Sequence, residues 1–357
     1  MARTATTPLH WPTPLHDAMQ GYDWILKNLA PPEYKRRDVY TCGSYLGASL
    51  ATSIALTESY PHEHMAVRGC VALNGIYNWT MFLPDHPINQ PPKKNRSKNK
   101  GEDDGHRSND PKPPLGSSSS STLRPPPDPA VLKLKQQAGA LFSQPDGLFD
   151  PFASPCLFFQ TPGLLVPRTF TEPATAADYY RATMSMALED FLSPDDPLTA
   201  EEFLRLVRPR APRRSAVAFP PWNSTLKIPE ALLLHTAVPA PPPSLLRRRR
   251  RRAKARVDAL ATDSFRAQAE ALARAMRRSV DKELKERRLW DPHLEGIPAD
   301  EATRRVQVSA VGAGGRRRVG GGEGAQEGDG EGKEFGFPPG GDANRFVQDW
   351  LEDRLGR

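Results

Sequence analysis

The chain has 357 residues, a formal net charge of +7 and a mean hydropathy of −0.59, and it contains 38 prolines and 26 glycines. This length is enough for one large domain or two small ones, but the composition predicts that much of the chain lies outside a packed core. The three cysteines are too few for a disulfide framework, and the spacings of cysteine and histidine match no common zinc motif. No segment has the length and apolar character of a membrane span or a secretory leader. We expect a soluble cytoplasmic protein with buried free thiols, no metal and no cofactor.

The first 75 residues predict an alternation of helices and strands. Residues 10–17 lead into an amphipathic helix that ends near residues 23–26. A β-rich run follows at 38–42, and the alanine- and leucine-rich segment 48–58 is typical of a helix packed on a sheet. A second apolar strand is predicted at 67–73.

The turn after the first strand has the glycine spacing of a nucleophile elbow, Gly-x-Ser-x-Gly. Gly43 and Gly47 occupy the glycine positions, where they would let strand and helix approach without Cβ clashes. The nucleophile position between them is Tyr45, and the nearby Ser44 comes one residue too early. An ordinary βα turn with convenient glycines is the alternative interpretation.

This order of elements over residues 8–85 resembles the α/β-hydrolase fold-3 family of hormone-sensitive-lipase-like esterases, especially its degenerate members in filamentous fungi. The resemblance extends to residues 150–180, 226–236, 258–310 and 342–355. It implies a three-layer α/β/α fold around a parallel sheet. The family's His-Gly-Gly-Gly oxyanion segment and its first strands have no counterpart in the sequence, so the sheet is expected to be N-terminally incomplete, with the elbow strand at its edge.

The resemblance also implies a nucleophile, an acid and a histidine in that chain order. Tyr45 stands at the nucleophile position, and a phenol with an ordinary pKa near 10 is much less reactive than a base-activated serine. His235 and Thr236 follow the predicted strand 228–234 where the acid is expected, and Phe335 stands where the imidazole would be. We therefore predict a pseudo-esterase with impaired chemistry and a binding or vestigial role.

Ser44 is the alternative nucleophile, and its candidate bases are His16, His62, His64 and His235. None has an orienting carboxylate at family spacing, and the alternation of side chains along a strand predicts that Ser44 faces away from the pocket. Tyr45 itself could act as the tyrosine of sialidases does. The competing interpretation is therefore an active carboxylic-ester hydrolase with an atypical nucleophile or a longer native chain.

Three segments are predicted to be disordered because of their composition. Residues 89–129 contain five consecutive serines, residues 237–256 begin with prolines and end with cations, and residues 312–341 are rich in glycine. These segments divide the chain into a hydrolase-like core with the elbow at 1–88, a disordered linker at 89–129, a lid-like helical region at 130–225 and the C-terminal part of the core at 226–357.

A run of six consecutive arginines lies in the second of these segments: Arg247, Arg248, Arg249, Arg250, Arg251 and Arg252. With Lys254 and Arg256 they carry eight positive charges, which leaves the rest of the chain near neutral because the net charge is +7. The run is either a nuclear-localisation or polyanion-binding patch, or a solvated, repeat-expanded loop. No aromatic residue interrupts it, so nucleic-acid binding by base stacking is not supported.

The remaining segments predict packing. Residues 264–288 have the pattern of a long helix with Ser264 as its N-cap, and residues 305–310 that of a strand. The closing helix at 342–355 is predicted to turn four apolar side chains inward, namely Phe346, Val347, Trp350 and Leu351. Residues 150–159 and Tyr179-Tyr180-Arg181 resemble a lid. The resemblance implies a small acyl ester or apolar ligand as partner, and no partner protein is indicated.

Overall fold

The structure is a computed structural model that describes residues 10–32, 34–86, 88–89, 128–175, 213–236, 264–290, 300–312 and 341–355. The three segments predicted to be disordered fall almost entirely outside these residues. The arginine run and Tyr179-Tyr180-Arg181 also lie outside them, so these predictions stay predictions.

Four parallel strands form one sheet, in which they are ordered as in the chain. They are β1 Arg37–Ser44, β2 Met65–Leu73, β3 Glu230–Thr236 and β4 Val306–Val311. All four predicted strands are confirmed. The two central strands are nearly continuous apolar runs, because helices cover both of their faces. Within the described part of the chain β1 has a strand neighbour on one side only.

Six α-helices lie within the described residues: α1 Thr13–Asn28, α2 Leu46–Thr57, α3 Pro129–Leu141, α4 Phe265–Trp290, α5 Glu301–Arg305 and α6 Gly341–Leu355. Short 3₁₀ helices occur at Trp79–Phe82, Pro145–Phe149 and Pro155–Phe158. None of these described helices is both long and apolar enough to cross a bilayer.

The helices cover the sheet in two layers, which gives an α/β architecture with a parallel sheet at its centre. Residues such as Leu233 of β3 pack with α1, α2 and α4 on one face. The next residue on the strand, Leu232, points to the opposite face and packs with Trp350 of α6, because successive side chains of a strand alternate. The core therefore lies on both sides of β2 and β3.

Helix α2 is buried along most of its length, with nine consecutive buried residues from Ala48 to Leu56. Its outer side carries a second apolar cluster centred on Trp79 and Phe142. The polar groups of the helix are satisfied within this packing, since Ser49 Oγ donates to Ile76 O at 2.6 Å. A helix enclosed in this way holds the residue before it, Tyr45, in a fixed position.

Two details differ from the sequence predictions. Phe346 of α6 is 45% exposed, because the helix turns Val347, Trp350 and Leu351 toward the sheet and leaves Phe346 at the margin of that stripe. Cys42 is exposed on the edge strand β1, whereas the other two cysteines are buried free thiols as predicted.

Candidate functional site at the carboxyl edge of the sheet

Tyr45 connects the end of β1 to the start of α2 with an uncommon backbone conformation. Its φ is 54° and its ψ is −114°, and the only other non-glycine residue with positive φ among the described residues is Asn74, which directly follows the neighbouring strand β2. The Tyr45 N–H donates to Leu73 O at 3.0 Å, and the side chain is 41% exposed. A non-glycine residue in this region of φ and ψ costs about 1–3 kcal/mol, and such residues are concentrated at functional sites.

The glycines on either side of Tyr45 have different roles. A Cβ on Gly43 would lie 2.1 Å from Gly47 O and 2.8 Å from Ala48 N, so only glycine allows β1 and α2 to approach this closely. A Cβ on Gly47 would meet nothing within 4 Å. The predicted close approach is thus present at Gly43, but the same prediction for Gly47 is wrong, because the space beside Gly47 is open.

The surroundings of Tyr45 include the start of α4, a helix that the sequence predicted, although its contact with Tyr45 was not predicted. The ring of Phe265 lies 5.8 Å from the Tyr45 ring in an edge-to-face arrangement. Ser264 caps the helix, because its Oγ accepts the Ala267 N–H at 3.2 Å. Long-range contacts between a turn and a distant helix leave no periodic signal in a sequence.

His235 stands at the carboxyl end of β3, at the same edge of the sheet as Tyr45. Burial lowers the pKa of its imidazole, the contact with Thr236 O raises it, and the nearby Arg266 lowers it again. The Nδ1–H donates to Thr236 O at 3.3 Å, which leaves Nε2 as the acceptor of a neutral ring. Burial therefore favours the neutral form of the His235 imidazole.

Thr236 takes the position where the family resemblance places an acid. Its N–H and its hydroxyl both donate to Asn74 Oδ1, each at 2.8 Å, and Asn74 N–H donates to Leu234 O at 2.9 Å. These bonds join the ends of β2 and β3. The described edge therefore holds an amide and a hydroxyl in this position, neither of which can act as the anionic partner of an imidazolium.

Ser44 and His235 are separated by the sheet. The Tyr40 ring lies 5.9 Å from the Trp350 ring of α6, so Tyr40 faces α6. Ser44 comes four residues later on β1 and therefore lies on the same face of the sheet. His235 alternates with Leu234 and faces α4. Two strand spacings also separate their backbones, about 10 Å. The structure therefore does not bring these two residues together.

The other candidate bases are also distant from Ser44. His62 and His64 precede β2, at the amino end of the sheet, roughly 25 Å along the strand from the level of Ser44. His16 is exposed on α1, which packs on the α2 face of the sheet, whereas Ser44 shares the opposite face with Tyr40. Ser44 thus has no histidine partner within the described residues.

The chemistry that this edge can support is limited. The first N–H groups of α2, beginning at Leu46, have no partner within the helix, so one backbone donor of an oxyanion hole is available. No group of three His, Cys, Asp or Glu side chains suited to a metal ion occurs within the described ranges. Comparisons of the chain with family models, with curated proteins and with solved structures find no match.

Proposed function

We propose that this chain is an α/β-hydrolase-type scaffold whose elbow carries tyrosine in place of serine, and that it binds a small acyl ester or apolar ligand without cleaving it. The observation that carries this proposal is the conformation of Tyr45, with φ 54° and ψ −114° at a sharp turn between β1 and α2. An elbow of this kind raises one side chain above the carboxyl edge of a parallel sheet. Here that side chain is an exposed phenol.

Three further observations support a binding role over ester cleavage. The Tyr45 ring fills space above the edge and contacts Phe265, which together form an aromatic surface. Ser44 faces the opposite side of the sheet from His235. The position of the acid is taken by Thr236, whose hydroxyl is bonded to Asn74. A base-activated nucleophile needs all three groups in contact.

The second candidate function is an active carboxylic-ester hydrolase that uses Tyr45 with His235 as base. One observation favours it: His235 stands at the same edge of the sheet as Tyr45, and the bond from its Nδ1–H to Thr236 O leaves Nε2 as the proton acceptor of the ring. Under this alternative, hydrolysis would require both residues and would fail once His235 became protonated.

Hydrolysis of p-nitrophenyl acetate and butyrate distinguishes the two functions. We expect the wild type, Ser44→Ala, Tyr45→Phe and His235→Gln to release nitrophenol at the same rate, since none of these side chains is an activated nucleophile. A rate that drops about tenfold or more in Tyr45→Phe or in Ser44→Ala would establish the enzyme and overturn the binding proposal.

Binding is tested by the melting temperature of the protein in the presence of ethyl hexanoate. We expect a concentration-dependent increase, because a ligand that binds only the folded state stabilises it. Tyr45→Ala should lose the increase. Tyr34→Ala is the matched control, since Tyr34 is exposed and precedes β1 at the opposite edge of the sheet. Equal responses of the two variants would contradict a site at Tyr45.

A further inference from the structure

A cleft of about 420 Å³ opens at the amino edge of the sheet, at the end opposite Tyr45. Six cationic side chains line it: Arg36, Arg68, Lys227, Arg304, Arg305 and Arg354. Only three carboxylates, Asp38, Glu230 and Glu301, share the lining. The cleft therefore carries an excess of three positive charges, and the question is which cations are already neutralised.

Two of the arginines are held by carboxylates as part of the fold. Arg354 is only 3% exposed, lies 2.6 Å from Glu230 Oε2 and stacks on the Trp350 ring at 4.2 Å. Arg304 forms a two-pronged bond to Glu301, at 2.6 and 2.8 Å. Both guanidinium charges are neutralised in this way, although Arg304 Nη1 has no hydrogen-bond partner among the described residues.

Arg68 is committed as well. Its Nη1 donates to Tyr60 O at 2.6 Å, its Nη2 to Glu63 O at 2.7 Å and its Nε to Asp38 at 3.0 Å. All three nitrogens of this guanidinium have protein acceptors, so Arg68 fixes the start of β2.

Lys227 is the cation of the cleft that is not neutralised. It forms no ion pair with any described residue, although its backbone is fixed, because its N–H donates to Ser59 O at 3.3 Å and its carbonyl accepts the Ser59 hydroxyl. Burial is the main cause that lowers its pKa, and Arg287, Arg305 and Arg36 lower it further against an opposing effect of Glu283. The ammonium group therefore has three cationic neighbours and one anionic neighbour, Glu283.

We propose that this cleft binds a small multivalent phosphate anion, with Lys227, Arg36 and Arg305 as its ligands. Arg36 is exposed and its single carboxylate contact, to Asp38, is itself solvent-exposed, so it can turn toward an anion. Arg305 keeps looser contacts, 3.8 Å to Glu283 and 3.2 Å to Glu301. Guanidinium forks and an ammonium group are the side chains that bind phosphate oxygens in proteins. The cleft is also large enough for a small ligand.

The test is a calorimetric titration with pyrophosphate at constant ionic strength. We expect Lys227→Gln to weaken binding by about tenfold or more, since it removes a charge-assisted hydrogen bond. Lys282→Gln is the matched control, because Lys282 is an exposed lysine of α4 outside the cleft and is paired with Glu286. It removes the same charge and should leave the affinity unchanged.

The proposal would be overturned by wild-type protein that does not bind pyrophosphate, or by equal weakening in Lys227→Gln and Lys282→Gln, which indicates general charge attraction. Arg36→Gln gives a second, independent variant in case Lys227→Gln fails to fold, and it should also weaken binding. Vesicles of phosphatidylcholine with and without phosphatidic acid distinguish a lipid phosphate from a free one. Binding to the acidic vesicles but not to pyrophosphate would also overturn a small-molecule site. None of these measurements depends on Tyr45.

Discussion

Among the described glycines, Gly43 leaves the least room for a side chain. Its missing Cβ would overlap the backbone of Gly47, which belongs to a buried helix and cannot move away. Neighbouring Tyr45 adopts a backbone conformation that few non-glycine residues adopt. Intrinsic preferences would place glycine at position 45, where φ is positive, and a residue with a side chain at position 43, within the strand. The turn has the reverse arrangement, because the close approach of β1 and α2 requires glycine at position 43.

Replacing Gly43 by alanine should destabilise the protein by about 3 kcal/mol or more, since overpacking against backbone is among the costliest single changes. Gly47→Ala is the control. It adds the same methyl group in open space within α2 and should stabilise by about 0.5–1 kcal/mol, because alanine favours a helix. The free energy of unfolding in urea measures both. Similar losses in the two variants would contradict the contact at Gly43.

The glycine spacing was sufficient to predict the turn and the residue at its apex. It could not distinguish Gly43 from Gly47, because both glycines lie two residues from Tyr45, whereas an added Cβ would clash only at Gly43. It also gave no sign of Phe265, which reaches Tyr45 from a helix that is distant in the chain. The residues that surround the site are brought there by packing, which a single sequence does not encode as a local pattern.

The connection after β2 contains a titratable group whose environment predicts a pH effect. His86 follows the 3₁₀ helix Trp79–Phe82, and its Nδ1 accepts the Ile88 N–H at 3.3 Å. That bond requires an unprotonated Nδ1. Burial, with a contribution from Arg214, lowers the pKa of His86 to about 4.

Because the folded state holds His86 neutral, the unfolded state binds the extra proton between the ordinary histidine pKa of 6.5 and about 4. Stability should therefore fall as the pH drops through this window, by on the order of 2–3 kcal/mol from this residue. His86→Asn retains an acceptor and removes the titration. The comparison is the free energy of unfolding of both proteins at pH 7 and pH 4.5. An identical pH dependence in wild type and variant would rule out His86 as the cause.

The regular elements were largely predictable from periodicity and composition. The four strands, the N-cap Ser264 and the inward stripe of α6 all follow from local patterns. The prediction that Phe346 faces inward was wrong, because the helical spacing of apolar residues does not distinguish a residue at the margin of the buried stripe from one within it. The 3₁₀ helices could not be predicted in this way, since they are too short to show a period.

Across the whole molecule, an ion-pair network at the amino edge joins the sheet to two helices. Glu230 of β3 contacts Arg354 of α6 at 2.6 Å and Arg304 of α5 at 3.9 Å. Arg354 also donates to Arg304 O at 3.2 Å. The carboxyl edge with Tyr45 and the amino edge with its cationic cleft thus lie at opposite ends of one connected core.

Glu230→Gln should destabilise the protein by about 3 kcal/mol, because it leaves the buried guanidinium of Arg354 without its main counter-ion. Asp353→Asn removes the other carboxylate beside Arg354, but this one is exposed, so its loss should cost less than about 0.5 kcal/mol. Thermal or urea unfolding of both variants gives the comparison. Equal small effects would indicate that the contact with Glu230 does not hold α6 on the sheet.

The proposal that this chain lacks an activated nucleophile is tested most directly by treating the purified protein with a fluorophosphonate probe and measuring its intact mass. A working serine esterase in the same reaction serves as the positive control, and circular dichroism establishes that the protein is folded. We predict that the control is fully labelled and that this protein keeps its unmodified mass, since no candidate base within the described residues contacts Ser44 and since Tyr45 occupies the sharp turn between β1 and α2. A stoichiometric adduct that peptide mapping assigns to Ser44 or Tyr45 would show a catalytic site and contradict the proposed binding function.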